Sequence, residues 1–453
     1  MNKLSVGFSR IDITPMLGIT LRGAYHERIS ESILDNLFLS ALAVTVGTDT
    51  VLLLAVDLLA VDKPDAQRIR ETVSKATGLP VEAVSISASH THTAPNLPQA
   101  LVADYDLPTD SQPLVTRYLQ FLIHRAADAA VMAMADRKPA HMGFGVGHAP
   151  NVAFIRRFRM KDGSVRTNPG VNNPDILHPI GDADDRVSVV RFDREGGETI
   201  VLTHFANHPD TVGGNKISAD WPGFLRETVE KALDNVRCIY FNGAQGDVNH
   251  VNVHPTGGWL NGIPKGSQSH AHARYIGRVV AAGVLQAFDK VQYTDVDRLK
   301  YLHKTVIIPS QPGDPAEIPA CRRFVELYAA GRYEELPYTG MMLTTKYARA
   351  RRILHLKDGP ESFSMELFAL RLGPIALIGI PGEPFSRAGR AISAANGWGM
   401  VLPICLTNGC EGYFPTQDAY DEGGYEAESS HFAAGVAERI IAGSQALLKE
   451  LED

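Results

Sequence analysis

Short apolar runs with the composition of β-strands recur along the whole chain, and several end directly in side chains that can do chemistry. The residues that follow such runs are His90, His92, His208, Asp247, Glu383 and Tyr413. Helical patterns at 63–77, 115–135 and 271–291 separate the runs, and strands that alternate with helices are typical of α/β folds. Ligands in such folds bind at the carboxyl ends of strands. We therefore expect one large α/β domain over residues 1–453, with mixed β-sheets flanked by helices and a site at the strand C-terminal ends.

Several other segments carry weaker structural signals. Alternating runs around Gly and Asp residues predict hairpins at 41–56 and 363–380. Residues 168–185 are rich in Pro, Asn, Gly and Asp, which predicts a surface loop. A polar helix is expected over 330–354, and a C-terminal helix over 430–451.

His90 and His92 stand two residues apart in an extended-looking segment rich in small residues. In extended backbone such a pair points to one face, so both rings can approach a metal ion or a reacting group. His90, His208 and Glu383 together would form a catalytic zinc set with an open position for water. The alternatives are a loop histidine bonded to backbone beside Pro209, and a Glu383 carboxylate that stabilises a helix N-terminus.

The segment 243–250 follows an apolar strand and combines two glycines with polar side chains. It could bring backbone N–H groups close to a substrate, but it lacks the Gly-Lys-Ser/Thr of a phosphate-binding loop. A tight turn is the alternative. Four further histidines could form a second metal site or simply border the main one: His250, His254, His270 and His272.

Composition limits the classes of function that remain. The formal net charge of −7 argues against a nucleic-acid surface. The four cysteines are too few and too irregularly spaced for a disulfide framework or a zinc ribbon, so free buried thiols are expected, with a Cys405–Cys410 pair as the alternative. Neither a signal-peptide pattern nor a membrane-spanning run is visible, which favours a cytoplasmic protein without stable membrane insertion.

Five segments in this order resemble the neutral/alkaline, non-lysosomal ceramidase superfamily, over about residues 5–426. They are Ser-His-Thr-His-Thr-Ala-Pro at 89–95, Phe-Ala-Asn-His-Pro at 205–209, Gly-Asp-Val at 246–248, Pro-Gly-Glu at 381–383 with Gly-Arg at 389–390, and Tyr413 with Tyr425-Glu426. The resemblance concerns the zinc-bearing catalytic domain of that family.

The resemblance implies a role for particular residues of this chain. Zinc would be held by His90, His208, Glu383 and Tyr413. His92 and Tyr425 would face the substrate as acid/base or oxyanion groups. The family also has an arginine near the metal, for which Arg156 is the candidate and Arg157 the alternative, although the asparagine that precedes it in the family is absent here.

Three departures from the family argue against ceramide more than against zinc. Asn249 stands where the ceramidases have a serine directly after Gly-Asp-Val, and an amide cannot form an acyl-enzyme. The ceramidases also continue into an immunoglobulin-like C-terminal domain, whereas a single helix is expected to end this chain. The third departure is the lack of a visible secretion signal.

The leading hypothesis is therefore a zinc hydrolase that uses metal-activated water on an amide, ester or lactone carbonyl. His92 would move the proton, Tyr425 with Arg156 would stabilise the oxyanion, and Asp247 would orient a histidine ligand or its loop. Substrate contacts are expected from Asn249, His250 and Arg157. The alternatives are a zinc enzyme with different bond chemistry on a small polar or carbohydrate-derived substrate, and an inactive binding homologue. In each case we expect a small-molecule ligand, with homo-oligomerisation left open.

Overall fold

The computed structural model describes residues 4–98, 108–254 and 269–452. The strands in these residues are β1 (Leu4–Asp12), β2 (Ser32–Ile33), β3 (Phe38–Val46), β4 (Asp49–Val56), β5 (Val84–Ala88), β6 (Lys138–His148), β7 (Phe154–Ile155), β8 (Arg157–Met160), β9 (Val165–Thr167), β10 (Ile176–Pro179), β11 (Arg186–Arg194), β12 (Thr199–Phe205), β13 (Lys216–Ile217), β14 (Val236–Asn242), β15 (Val248–Asn249), β16 (Gln292–Thr294), β17 (Leu299–Pro309), β18 (Ser362–Leu372), β19 (Ile375–Gly379), β20 (Glu383–Pro384), β21 (Met400–Ile404) and β22 (Tyr413–Phe414). The α-helices are α1 (Lys63–Thr77), α2 (Gln112–Ala135), α3 (Asp220–Ala232), α4 (His270–Phe288), α5 (Ile318–Ala329), α6 (Gly340–His355), α7 (Ser386–Ser393), α8 (Gln417–Glu422), α9 (Tyr425–Ser429) and α10 (Val436–Glu452).

Two mixed sheets form the centre of the fold. The large sheet has the order β14-β12-β11-β6-β1-β3-β4-β5, and β16 pairs with β6. Its neighbours are antiparallel except for the parallel pairs β4/β5 and β12/β14. The smaller sheet has the order β17-β18-β19-β21, in which β19 and β21 are parallel.

The side chains of β3 show how the sheets are layered. Leu39, Ala41 and Ala43 pack with residues of α1 and α2 on one face. Leu42 and Val44 point to the other face, where they join Phe368 and Leu377 of the smaller sheet. Because successive strand residues face opposite sides, a strand buried on both faces is apolar throughout.

The two outer layers are helical. The other half of the large sheet is covered by α3 and α4, through a core that includes Trp221 and Ile276. The outer face of the smaller sheet is covered by α7 and α10, through Ile392 and Ile440. The order of layers is therefore helices, large sheet, small sheet, helices. This arrangement confirms the predicted class of mixed β-sheets flanked by helices.

Three of the sequence-based element predictions were wrong in detail. The helix expected to begin at residue 330 begins only at Gly340, as α6. The residues before it end a separate helix, α5, because Gly331 adopts a left-handed φ of 69°. The C-terminal helix begins at Val436 rather than at residue 430, directly after Gly435 with φ 92°. The expected loop 168–185 contains β10, which pairs with β8.

The residues singled out in the sequence lie where the parallel strand pairs end. His90 follows β5, His208 follows β12 and Asp247 follows β14. Glu383 in β20 and Tyr413 in β22 follow β19 and β21, and these two residues face each other in a short parallel ladder. The carboxyl ends of the parallel pairs β4/β5, β12/β14 and β19/β21 thus place these side chains in one region of the fold. None of the helices in the described residues has the length and apolar character that a bilayer crossing requires.

Candidate metal centre

Three histidine side chains converge beyond the strand ends. One ring nitrogen of each of His90, His92 and His208 lies within 4.8 Å of the others. The Nε2 atoms of His90 and His92 are 3.3 Å apart, and the ring centroids of His90 and His208 are 4.8 Å apart. His90 and His208 are buried, and His92 is half-buried. A group of this kind can hold a metal ion.

The hydrogen bonds of the three rings fix their tautomers. Each Nδ1 contacts a backbone carbonyl: His90 that of Leu59 at 2.9 Å, His92 that of Gly23 at 3.1 Å, and His208 that of Val248 at 2.8 Å. A carbonyl oxygen only accepts, so each Nδ1 carries a proton and the neutral ring presents a lone pair at Nε2. Two bare nitrogens cannot hydrogen-bond to each other, so a cation at Nε2 of His90 or a proton at Nε2 of His92 would relieve this contact. The donor set therefore fits a metal ion.

Glu383 adds a negative charge to the same point. Its Oε2 lies 3.3 Å from Nε2 of His90 and 3.2 Å from Nε2 of His208. Gln245 donates to this oxygen from Nε2 at 3.2 Å. Burial raises the pKa of the Glu383 carboxyl, whereas positive charge at His90 and His208 lowers it well below the ordinary value, and a cation bound by the two neutral rings would act in the same direction. The side chain is thus a buried carboxylate aimed at two imidazoles.

Tyr413 and Arg156 close the other side of the group. The hydroxyl of Tyr413 is 3.5 Å from Nε2 of His208, and the guanidinium carbon of Arg156 is 5.3 Å from the centroid of the Tyr413 ring. Burial raises the pKa of Tyr413 well above its usual value, and the charge of Glu383 adds to this effect. Burial lowers the pKa of Arg156, but Tyr413 and Glu426 outweigh it and raise that pKa. Arg156 is therefore a permanent buried cation.

Arg156 is held in place by two further contacts. Its Nε donates to Oε1 of Glu426 at 2.7 Å, and its Nη2 donates to the carbonyl of Gly246 at 2.7 Å. Glu426 is fully buried and also accepts from the hydroxyl of Thr167 at 2.9 Å. Arg156 therefore links Gly246, in the loop after β14, to Glu426, which follows Tyr425.

The local backbone explains the position of His90 and Glu383. His90 has a left-handed φ of 76°, which is uncommon for a residue with a side chain and clusters at functional sites. Its N–H donates to the carbonyl of Leu58 at 2.9 Å. Gly246 packs so closely on Glu383 that an added Cβ would lie 2.4 Å from the Glu383 carbonyl oxygen. Only glycine allows this approach between the two loops.

Asp247 and Arg157 hold neighbouring loops rather than facing the histidines. Asp247 accepts hydrogen bonds from the backbone N–H of Ser386 at 2.6 Å and from its hydroxyl at 3.1 Å. It thereby fixes the start of α7, three residues after Glu383. Arg157 donates to the carbonyl of Gly423 at 3.1 Å. Both therefore lie beside the site as supports.

Asn249 lies in β15, and His250 follows it directly. The Nδ2 of Asn249 donates to Oδ1 of Asn168 at 3.0 Å, and the side chain is fully buried. Nδ1 of His250 lies 2.7 Å from Oδ1 of Asp210, and Asp210 holds the pKa of His250 above its usual value despite burial. Neither residue lines the cleft beside the histidines.

The other histidines downstream do not gather into a second centre within the described residues. His270 contacts Asp35 at 2.7 Å, and His254 is exposed. The rings of His250 and His272 are 5.5 Å apart. In the part of the chain that is described, only the group of His90, His92 and His208 brings three such ligand atoms together. The expectation of loop histidines holds for His250 and His254, whereas His270 and His272 lie in the first turn of α4.

A cleft of about 100 Å³, here called the histidine cleft, opens beside the centre and is lined by His90, His92, Glu383, Tyr413, Tyr425 and Tyr25, among others. Tyr25 was missed in the sequence, although its hydroxyl is 2.6 Å from that of Tyr425. The nearest signal was Gly23, which has φ 103° and leaves room for the His92 ring. Burial, followed by the effect of His90, lowers the pKa of His92 to about 3, so this ring is neutral at pH 7.

The fold and the centre define a mixed α/β protein with a candidate metal site at the ends of its parallel strands. Comparison with solved structures shows that the fold is that of neutral ceramidase. A crystal structure of neutral ceramidase from Pseudomonas aeruginosa matches with a TM-score of 0.72 and 17% identity, over 99% of this chain and 75% of that chain. A structure described as ceramidase complexed with C2 matches with a TM-score of 0.72 and 16% identity, over 99% of this chain and 76% of that chain. No protein-family model and no curated protein matches the chain.

Proposed function

We propose that the protein is a zinc-dependent hydrolase that acts on an amide, ester or lactone bond of a substrate other than ceramide. The observation that carries this proposal is the convergence of unprotonated Nε2 atoms on the Glu383 carboxylate. Nη1 of Arg156 lies 3.4 Å from Nε2 of His208 and can donate to it, but Nε2 of His90 still faces the Glu383 carboxylate at 3.3 Å, an unfavourable contact that a bound cation would relieve. The fold supports the assignment to hydrolases, since the two matched proteins are named as ceramidases.

His90, His208, Glu383 and Tyr413 are the proposed zinc ligands. Two imidazole nitrogens, a carboxylate oxygen and a phenol oxygen lie around one point, and zinc accepts nitrogen and oxygen ligands of this kind. Bound zinc supplies a Lewis acid that lowers the pKa of water and polarises a carbonyl oxygen. The carbonyl acceptors of Leu59 and Val248 hold the two imidazoles in the required tautomer.

His92 is proposed to move the proton. Its Nδ1 faces the carbonyl of Gly23 at 3.1 Å, which leaves Nε2 as the ring atom that would accept a proton from the attacking water. Arg156 lies behind the rings of Tyr413 and Tyr425 and does not line the histidine cleft, so its charge would stabilise a developing negative charge on the substrate oxygen at longer range. The Tyr425 hydroxyl is a second candidate donor in the cleft.

Asn249 is consistent with water as the nucleophile. Its amide cannot form an acyl-enzyme, and both of its polar atoms are already used, toward Asn168 and the N–H of Val251. The histidine cleft is also small, at about 100 Å³, compared with the roughly 300–1,000 Å³ that is usual for ligand pockets. The cleft thus suits the reacting end of a substrate, with the remainder bound elsewhere.

The test combines metal analysis with turnover. Purified wild type, His90→Ala and Glu383→Ala are compared for zinc content and for hydrolysis of aryl esters, N-acyl amines and lactones. His178→Ala serves as a matched control, because His178 is exposed and bonds only to the adjacent Pro179 carbonyl. We expect about one zinc per chain in wild type and control, and loss of zinc and turnover in the two other variants. Absence of zinc from wild type, together with unchanged behaviour of both variants, would refute the proposal.

A further inference from the structure

A second and larger pocket adjoins the histidine cleft. It has a volume of about 350 Å³ and lies between loop 165–170, the first turn of α6 and segment 424–428. Tyr425 lines both this pocket and the histidine cleft, so its ring forms part of the boundary between them. We call this space the Tyr425 pocket. A molecule that reaches from one space to the other would pass this ring.

Asn168 gives the Tyr425 pocket a fixed polar wall. Its φ is 46°, and its N–H donates to the carbonyl of Arg156 at 2.8 Å. Its Oδ1 accepts from Asn249 at 3.0 Å, which leaves the amide nitrogen without a partner among the described residues. Nδ2 of Asn168 is therefore a hydrogen-bond donor available to a ligand.

Glycines expose backbone at two other points of the wall. Gly170 and Gly340 have φ values of 102° and 56°, and a Cβ at either would meet nothing within 4 Å. Their peptide groups therefore border open space. On the remaining side Glu428 presents a carboxylate that accepts from Lys346 at 2.7 Å and 3.0 Å. Carboxylate oxygens can accept further hydrogen bonds.

The lining also includes the apolar side chains of Met341, Met342 and Pro169, so the polar groups decide which class of ligand fits better. An alkyl chain would remove water from an amide, two bare backbone segments and a carboxylate without replacing their hydrogen bonds, which costs about 1–3 kcal/mol for each group left unsatisfied. A polyhydroxylated group offers both donors and acceptors. The flat Tyr425 ring would pack against its carbon skeleton.

We propose that the Tyr425 pocket binds the hydroxyl-rich, carbohydrate-like part of the substrate, while the reacting carbonyl enters the histidine cleft past Tyr425. This inference rests on the proposed function for the reaction, and adds the class of substrate. Asn249 is a positioning residue in this scheme, because it holds the Asn168 amide in place without lining the histidine cleft. Asn249, which stands where the ceramidases have a serine, then helps to shape the Tyr425 pocket through Asn168.

The test measures binding rather than turnover, with methyl β-D-glucopyranoside as a probe that contains no amide, ester or lactone. Titration calorimetry compares wild type with Thr339→Trp, in which a large ring projects from the pocket rim. Thr339 is exposed and its side chain makes no capping hydrogen bond to α6, so the substitution removes no such contact. Thr305→Trp, on an exposed position of β17, is the matched control. 1-Hexanol is the apolar probe.

We expect wild type and Thr305→Trp to bind the glucoside with equal Kd, Thr339→Trp to bind it at least about tenfold more weakly, and 1-hexanol not to compete. Asn168→Gly, which keeps the left-handed backbone but removes the amide, should also weaken binding. The proposal is overturned if wild type does not bind the glucoside, if 1-hexanol displaces it, or if neither pocket variant changes Kd. Since no turnover is needed, these results are independent of zinc content and hydrolysis.

Discussion

Replacement of Glu383 by Gln gives the most direct test of the metal centre through stability. The carboxylate lies 3.2–3.3 Å from two imidazole nitrogens and is only 5% exposed, so a neutral amide would remove the one negative charge at that point. A ligand that binds only the folded state adds about 2.7 kcal/mol at 100 times its Kd. With an unfolding entropy of about 2.1 cal/mol/K per residue, the whole chain gives about 1 kcal/mol/K, so zinc should raise Tm by about 3 °C.

The expected loss follows from the same relation. If Glu383→Gln weakens zinc binding about 100-fold, the free zinc concentration equals the new Kd and the added stability falls to about 0.4 kcal/mol. The Tm shift should then drop below about 0.5 °C. Thermal unfolding followed by circular dichroism, with zinc or with a chelator, measures both shifts.

Glu411→Gln is the matched control for this experiment. Glu411 is also buried, but it does not line the histidine cleft. The control should retain the full zinc-dependent shift, whatever its own Tm. An equal shift in wild type and Glu383→Gln, or no shift in wild type, would refute the assignment of Glu383 to a metal centre.

Three further substitutions test other features of the structure. Arg156→Met should lower the free energy of unfolding in urea by about 3–5 kcal/mol, because it leaves the fully buried Glu426 carboxylate without its cation. Arg156→Met combined with Glu426→Gln should recover most of the lost stability. Additive effects of the two substitutions would contradict the coupling. Burial raises the pKa of Glu411 to about 7 from an ordinary 4.5, so its contribution to stability is complete below about pH 4.5 and is lost as pH rises through 7. Wild type should therefore lose about 3 kcal/mol more than Glu411→Gln between pH 4.5 and pH 8 in urea unfolding, and parallel pH profiles would show that the carboxyl is already ionised. Asn249→Ser should raise the Kd of methyl β-D-glucopyranoside about fivefold in calorimetry, the equivalent of one hydrogen bond of about 1 kcal/mol, and an unchanged Kd would remove Asn249 from the positioning role.

The sequence predicted the location of the centre because that location follows from strand topology. His90, His208 and Glu383 each come directly after an apolar run, and the runs belong to parallel pairs whose carboxyl ends lie together. The period of the apolar residues also identified most strands, since strands buried on both faces are continuous apolar runs. For these features local pattern and tertiary structure agree.

Other features depend on contacts that no local pattern records. Tyr25 and Tyr425 are 400 positions apart, and only the folded chain brings their hydroxyls together. A sequence also does not show which way a polar side chain points. Asp247 follows a strand as His90 and His208 do, yet its carboxylate turns toward the start of α7. The wall of the Tyr425 pocket could not be predicted for a similar reason. The polar helical pattern is continuous over 330–354, so it does not show that the helix begins only at Gly340.

The arrangement of the centre separates a functional cluster from a structural one. A histidine in a core usually satisfies both ring nitrogens, whereas His90 satisfies Nδ1 through Leu59 and leaves Nε2 beside other acceptors. The chain also gives His90 a left-handed backbone that costs about 1 kcal/mol or more. Neither feature improves packing, and a cation at Nε2 of His90 would offset their cost. The folding free energy lost at His90 is therefore a measure of how far the candidate site is preorganised for a cation.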